Sequence, residues 1–267
     1  MIIDFHAHAF PDNVAEKAIP MLTASTNGLY NPIHNGTIDG LIKHMDNCSI
    51  DISVVQPIVT KQSQKKHINE WAAKVCDDYK DRIICFGSIF PHSDDYKSDI
   101  DFIVSLGLKG LKFHAEYQNF ILDDKKMLDI YDYAFSKNLI LLHHAGFDPA
   151  FPAPFKSNPQ RFLHIVKEMR GGMLIAAHLG GHDQWDDVEK YLCGENIYLD
   201  TSMGFEYYSH EQFLRIIKKH GADKILFASD SPWSNAKTEI KHFNALPLDE
   251  IEKTAILSGN AKRILGI

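Results

Sequence analysis

The sequence predicts a single (β/α)8 barrel over residues 1–267, and three observations carry that reading. Short runs rich in Ile, Val, Leu and Phe recur eight times along the chain. Amphipathic helical segments lie between them, and no Pro/Gly/Ser-rich linker or low-complexity tract divides the pattern. Near-continuous apolar strands need both faces covered, as in a parallel sheet wrapped by helices. A doubly wound open sheet is the architectural alternative.

The elements follow in order. "IIDFHAH" begins at residue 2, "DISVVQPI" at 51, "RIICFGSI" at 82, "LKGLKFHA" at 108, "LILLHHA" at 139, "MLIAAHLG" at 173, "NIYLDTS" at 196 and "KILFASD" at 224. Helical periodicity marks "DGLIKHMDNC", "HINEWAAKVCDDYK", "DDKKMLDIYDYAFSKN" and "SHEQFLRIIKKHG". In the last of these, Ser209 and Gln212 have the spacing of a capping box, and Gly221 stands where a helix-ending glycine belongs.

Composition narrows the function classes. A net charge of −7 with scattered lysines gives no basic surface for a phosphate backbone, so nucleic acid is excluded as a partner. Cys48, Cys76, Cys85 and Cys193 form no short-spaced pair and read as reduced thiols of a cytoplasmic protein. No apolar run approaches the roughly 18 residues that span a bilayer, so no membrane partner is expected.

Barrel enzymes place their chemistry where strands end in loops, at the C-terminal rim. Polar residues collect there. His6 and His8 close the first strand, His114 the fourth, His143 and His144 the fifth, His178 the sixth and Asp230 the eighth. With 15 histidines, roughly one His-x-His pair is expected by chance, so His6 and His8 mean little alone. Together with His178 and Asp230 they would bury four polar groups at one mouth without a partner, which a bound cation resolves. Imidazoles with a carboxylate suit zinc, with manganese, iron or nickel as substitutes. Side-chain alternation puts Asp4, His6 and His8 on one face, and Lys112, His114 and Glu116 on another. It also forbids His143 and His144 from both facing the barrel axis. Lys112 reads as a core lysine paired with Asp4 or another carboxylate, and His92 and His182 as solvent-facing loop residues.

The ordered set "DFHAHAFPD", "GLKGLKFHAEYQ", "HHAG", "AAHLGGHDQWDDVE", "LFASDSPW" and "ILSGNAKRILG" resembles the amidohydrolase superfamily, in its amidohydrolase 2 branch. That branch includes aminocarboxymuconate-semialdehyde decarboxylase. The resemblance implies that His6, His8, His144 and Asp230 hold one divalent metal, with His178 as an acid/base beside it. Physically, such an ion activates water and polarises a carbonyl, Asp230 can take a proton, and an imidazole can relay one.

Substrate contacts are expected from rim excursions. Residues 9–38 far exceed the roughly 2–6 residues of an ordinary βα loop and read as a lid or pocket wall. Residues 146–157 interleave Phe147, Phe151 and Phe155 with prolines as a stiff aromatic wall, or alternatively as the seal of a homodimer. Phe10, His114, Phe147, Phe151 and Trp233 are assigned to the pocket, and Arg161 is its carboxylate clamp. Arg82, Arg170, Arg215 and Arg263 fall away from the rim. The expected activity is hydrolysis of a small carbonyl compound, an amide, lactone or ester. Decarboxylation of an aromatic or unsaturated acid uses the same site, and a metal-dependent phosphoesterase also opens with Asp-x-His-x-His. A barrel holding metal only for structure is the non-enzymatic alternative.

Overall fold

The computed structural model describes residues 1–169 and 171–267, so Arg170 lies outside the described residues. Eight strands appear, each inside a predicted apolar run: β1 (Ile3–Ala7), β2 (Ile52–Val55), β3 (Ile83–Cys85), β4 (Gly110–Phe113), β5 (Ile140–His143), β6 (Met173–Ala176), β7 (Tyr198–Asp200) and β8 (Ile225–Leu226). All neighbouring pairs are parallel, in ladders β1-β2-β3 and β4-β5-β6-β7-β8.

Backbone hydrogen bonds join the two ladders into a ring. Gly87 N–H donates to Gly110 O (2.8 Å) and Lys112 N–H to Gly87 O (2.9 Å), linking β3 to β4. On the other side Phe5 N–H donates to Phe227 O (2.9 Å) and Asp230 N–H to His6 O (2.7 Å), linking β8 to β1. The closed parallel ring is the (β/α)8 barrel that the alternation predicts.

Helices α1 (Asp12–Ser25), α2 (Ile38–Cys48), α3 (Lys65–Asp78), α4 (Tyr96–Ser105), α5 (Lys125–Ser136), α6 (Pro159–Glu168), α7 (Trp185–Tyr191), α8 (His210–His220), α9 (Ala236–Asn244), α10 (Glu250–Thr254) and α11 (Asn260–Leu265) surround it. The Ser209 hydroxyl accepts from Gln212 N–H at the start of α8, and Gly221 follows its end at φ 105°. No helix among the described residues is long and apolar enough to cross a membrane. All four cysteines are free thiols.

Two apolar layers divide the strand residues by parity. Leu111, Phe113, Leu141 and Leu174 pack outward against the helices. Ile3, Phe5, Val54, Phe86, Ile140, Leu142 and Ile175 fill the barrel interior, where α11 contributes Ala261 and Leu265. Burying both strand faces this way explains why the runs carry so few polar interruptions below the rim.

Candidate active site

Strand β1 is not regular. Its pairing to β2 shifts between Asp4↔Ser53 and Ala7↔Val55, three residues opposing two. Such a bulge re-aims side chains: Phe5 remains in the interior against Phe86, while His6 and His8 reach the mouth. Asp4 stays behind, taking hydrogen bonds from the Ser229 N–H and hydroxyl. Its burial lifts its carboxyl to about 7.

At the mouth three ligand atoms form a nearly equilateral triangle. His6 Nε2 lies 3.2 Å from His8 Nε2 and 3.2 Å from Asp230 Oδ1, and His8 Nε2 lies 3.1 Å from the same oxygen. Their protonation follows from the other ring nitrogens. His6 Nδ1 is 3.0 Å from Asp200 Oδ2, and His8 Nδ1 is 3.0 Å from Gln56 O. Both partners accept only, so each Nδ1 carries the proton and each Nε2 presents a lone pair. Three acceptors then converge, met on one side by the Lys112 ammonium 2.9 Å from His6 Nε2, an arrangement that suits a shared cation. Edges of this length match a tetrahedral ion bound at about 2.0–2.1 Å, and orienting partners on the distal nitrogens are the usual support of ligating histidines. The residues therefore fit a divalent metal.

The same logic extends to His144. His178 Nδ1 sits 3.1 Å from Ser202 O, so it donates there, leaving Nε2 to accept. His144 Nδ1, 3.0 Å away, supplies that proton, which leaves His144 Nε2 a bare, buried lone pair without a partner among the described residues. His144 does not join the His6, His8, Asp230 triangle directly; it groups with His114 and Asp148. The His114 and His144 rings stack with centroids 4.0 Å apart and planes 10° apart. In-plane lone pairs on parallel rings do not meet, so that second group is poorly shaped to hold an ion of its own.

Burial dominates the electrostatics. It drives the His6 and His144 imidazoles well below their ordinary range and His178 to about 4, keeping all three neutral. Burial works to raise the Asp230 carboxyl, but the imidazoles of His6, His8 and His178 beside it outweigh burial and hold the group well below the carboxylate range. Asp230 reaches the mouth from a backbone at φ 66°, and His178 from one at φ 56°. Non-glycine residues rarely adopt such values, and they cluster at functional sites.

These groups form the floor of a cavity of about 320 Å³. Phe10, His114, Phe147 and Trp233 line it, as does α1 within the long excursion after β1, through Val14, Ala18, Met21 and Leu22. Several sequence expectations need correction. Phe151 lies outside the lining and packs edge-on against Tyr117 (4.8 Å). Arg161 is bound by Asp123 between α6 and the segment before α5, away from the cavity, because a nearby carboxylate captured it. Lys112 is paired with His6 Nε2 (2.9 Å) rather than Asp4, and burial brings it down to about 8. Glu116 turns from the mouth to accept from Lys156 N–H. His178, expected as a proton relay, lines the cavity, with Nδ1 3.1 Å from Ser202 O and Nε2 3.0 Å from His144 Nδ1. His92 is exposed, but His182 is buried and lines the cavity, its Nε2 3.1 Å from the Tyr30 hydroxyl. Gly146 makes that placement feasible: at φ 84°, any Cβ there would stand 2.4 Å from the His182 backbone.

Asp200, Ser202, Gln56 and Asp148 went unrecognised in the sequence. Each sits at or beyond a strand end, a positional signal, but none belongs to a histidine-bearing pattern. His143, by contrast, faces the helices, stacked on Phe113 (4.8 Å) and edge-on to Tyr131 (5.0 Å).

Comparison with known proteins agrees with the fold. Solved structures of similar fold include an uncharacterised TIM-barrel protein from Bordetella bronchiseptica (19% identity, TM-score 0.79, covering 99% of this chain and 98% of that one). A 5-carboxyvanillate decarboxylase from Novosphingobium aromaticivorans with bound manganese aligns over 100% and 97% (15%, TM-score 0.76). A probable 2-pyrone-4,6-dicarboxylic acid hydrolase from Acinetobacter baumannii with bound citric acid aligns over 100% and 99% (16%, TM-score 0.70). At such identities the likeness speaks for the fold. No curated protein matches the sequence. The amidohydrolase family model matches residues 3–267, and the chain belongs to that family.

Proposed function

We propose that the protein is a metal-dependent hydrolase of a small carbonyl compound, an amide, lactone or ester. The observation that carries this reading is the convergence of His6 Nε2, His8 Nε2 and Asp230 Oδ1 as three unprotonated acceptors on the floor of a cavity. We assign one divalent ion to them, with zinc the best match to this donor set and His144 Nε2 available as a further ligand. When bound, that ion supplies Lewis acidity and water activation.

The chain's own residues do the rest. Asp230 Oδ1 is committed to the two imidazoles, which leaves Oδ2 to take a proton from an attacking water. Asp200 and Ser202 hold His6 and His178 in fixed orientation, so the donor set is preorganised before substrate arrives. Phe10, Phe147 and Trp233 line the same cavity and give it an aromatic wall. Among the described residues no arginine lines the cavity, which favours a neutral carbonyl over an acid that must be clamped for decarboxylation.

The test is isotopic. Metal-loaded protein incubated with amide, lactone and ester panels in ¹⁸O water should place the label in the product acid. Release of carbon dioxide with solvent deuterium entering the product would replace this reading with decarboxylation.

A further inference from the structure

Helix α1 turns an apolar face to the cavity. Val14, Ala18, Met21 and Leu22, spaced i, i+4, i+7 and i+8, lie on one side of the helix and line the cavity, while Asn13, Glu16, Lys17 and Pro20 lie on the other and are exposed. The helix is held to the protein through other positions. Its buried residues are Ala15, Ala18 and Ile19, and Ile19 packs on Gly36, where a Cβ would stand 2.5 Å from the Ile19 Cδ1. Two of the larger cavity-lining side chains remain open, Val14 at 37% exposure and Met21 at 66%. Apolar side chains that line a cavity instead of packing in a core mark a ligand-contact surface.

The chain after α1 is tied to the rim at two points. The buried Tyr30 sets its hydroxyl 3.1 Å from His182 Nε2, and Ile33 N–H donates to Pro232 O (2.9 Å). His182 is a fixed post: its N–H donates to Ala145 O (2.8 Å) and its carbonyl accepts from Phe147 N–H (2.9 Å).

We propose that α1 is the specificity-determining wall of this site: Val14, Met21 and Leu22 receive the hydrocarbon body of the substrate, an aryl or alkyl group, and the Tyr30–His182 hydrogen bond positions the helix against it. This deepens the hydrolase reading and rests on it for the carbonyl alone; the preference for an apolar body follows from the face that α1 presents. Phe10, Ile58, Ile68 and Trp233 line the same cavity, so such a group also meets apolar side chains from other segments. A polyether or polyhydroxyl body would lose its water at Val14 and Met21 and find no hydrogen-bond partner on those side chains.

The experiment uses two neutral amides of equal size, 4-phenylbutanamide and an analogue with a diethylene glycol chain in place of the phenyl-bearing one, titrated by ligand-observed NMR against the protein as purified. Both carry the same amide and no charge, so neither a bound ion nor the charged residues of the floor separate them by charge. In the parent the phenyl compound should bind at least tenfold more tightly. Equal affinities, the reverse order or failure of both to bind overturns the proposal. The Val14→Ser/Met21→Ser double variant, at positions exposed enough to leave the fold in place, should weaken the phenyl compound roughly tenfold, the scale of one lost apolar side-chain contact, and leave the glycol compound unchanged. Unchanged phenyl affinity removes α1 from the recognition surface. Hydrogen exchange reads the positioning: in Tyr30→Phe the amides of residues 12–25 should exchange at least tenfold faster while those of β5 keep the parental rate. Parental exchange in α1, or equal acceleration in β5, overturns the role given to Tyr30. Turnover plays no part in these readings, so a failure of the isotopic test leaves the apolar preference to be decided here on its own.

Discussion

Asp200 Oδ2 lies 3.0 Å from His6 Nδ1, and Asp200 Oδ1 accepts from His178 N–H, Ser202 N–H and the Ser202 hydroxyl. One carboxylate at the end of β7 thereby fixes the His6 tautomer and, through Ser202 and His178, that of His144. Asp200→Asn offers His6 Nδ1 an amide N–H and permits the opposite tautomer. Metal affinity, measured by competition with a chromophoric chelator, should drop about 10- to 100-fold, the usual cost of losing such a supporting partner. Parental affinity would show that Asp200 serves packing alone.

The triangle itself predicts about one divalent ion per chain by elemental analysis, with zinc at the highest occupancy. The His6→Ala/His8→Ala double variant should purify with almost none. If it retains the parental content, the ion binds elsewhere.

Adjacent histidines on β5 should behave differently. His143 is buried in an aromatic cage with neither nitrogen bonded among the described residues. Replacing an unsatisfied polar ring by an apolar one costs little or stabilises, so His143→Leu should keep its metal and melt at or above the parental temperature. His144→Leu should lose much of the metal. The reverse pattern contradicts the facing assigned to both.

His178 accepts from His144 Nδ1, so its removal frees His144 to adopt the wrong tautomer. His178→Leu should weaken metal binding by roughly tenfold or more, and His178→Gln, which retains an acceptor, should recover part of it. A variant that keeps full metal affinity while turnover falls ~10²- to 10⁴-fold would return His178 to direct proton transfer.

Glu239, buried at the start of α9, bonds the Ser234 hydroxyl through Oε1. Burial, countered in part by that bond, lifts its carboxyl from 4.5 to about 8. The folded chain thus holds a proton that the unfolded chain releases near the ordinary glutamate value. Stability is full at low pH and falls as pH rises through the window up to about 8, by as much as a few kcal/mol at ~1.4 kcal/mol per unit. Urea midpoints should show the parent losing ground to Glu239→Gln between pH 5 and pH 8.5. Parallel curves for the two proteins would mean that Glu239 titrates normally.

The sequence by itself determined the barrel, its eight strands and the histidines that close them, because hydrophobic periodicity and strand-end position are local properties. "LILLHHA" even specifies, through alternation, that one of its two histidines must face away. Tertiary structure decided the rest. The bulge that turns His6 and His8 to the mouth while Phe5 stays inside depends on how β1 registers against β2. Arg161 lost its expected role to Asp123, a residue 38 positions away. The tautomers that would suit His6 and His144 to hold a metal descend from Asp200, distant in sequence from both. A hydrogen bond to one ring nitrogen sets the chemistry of the other, and the chain cannot name that partner until it folds.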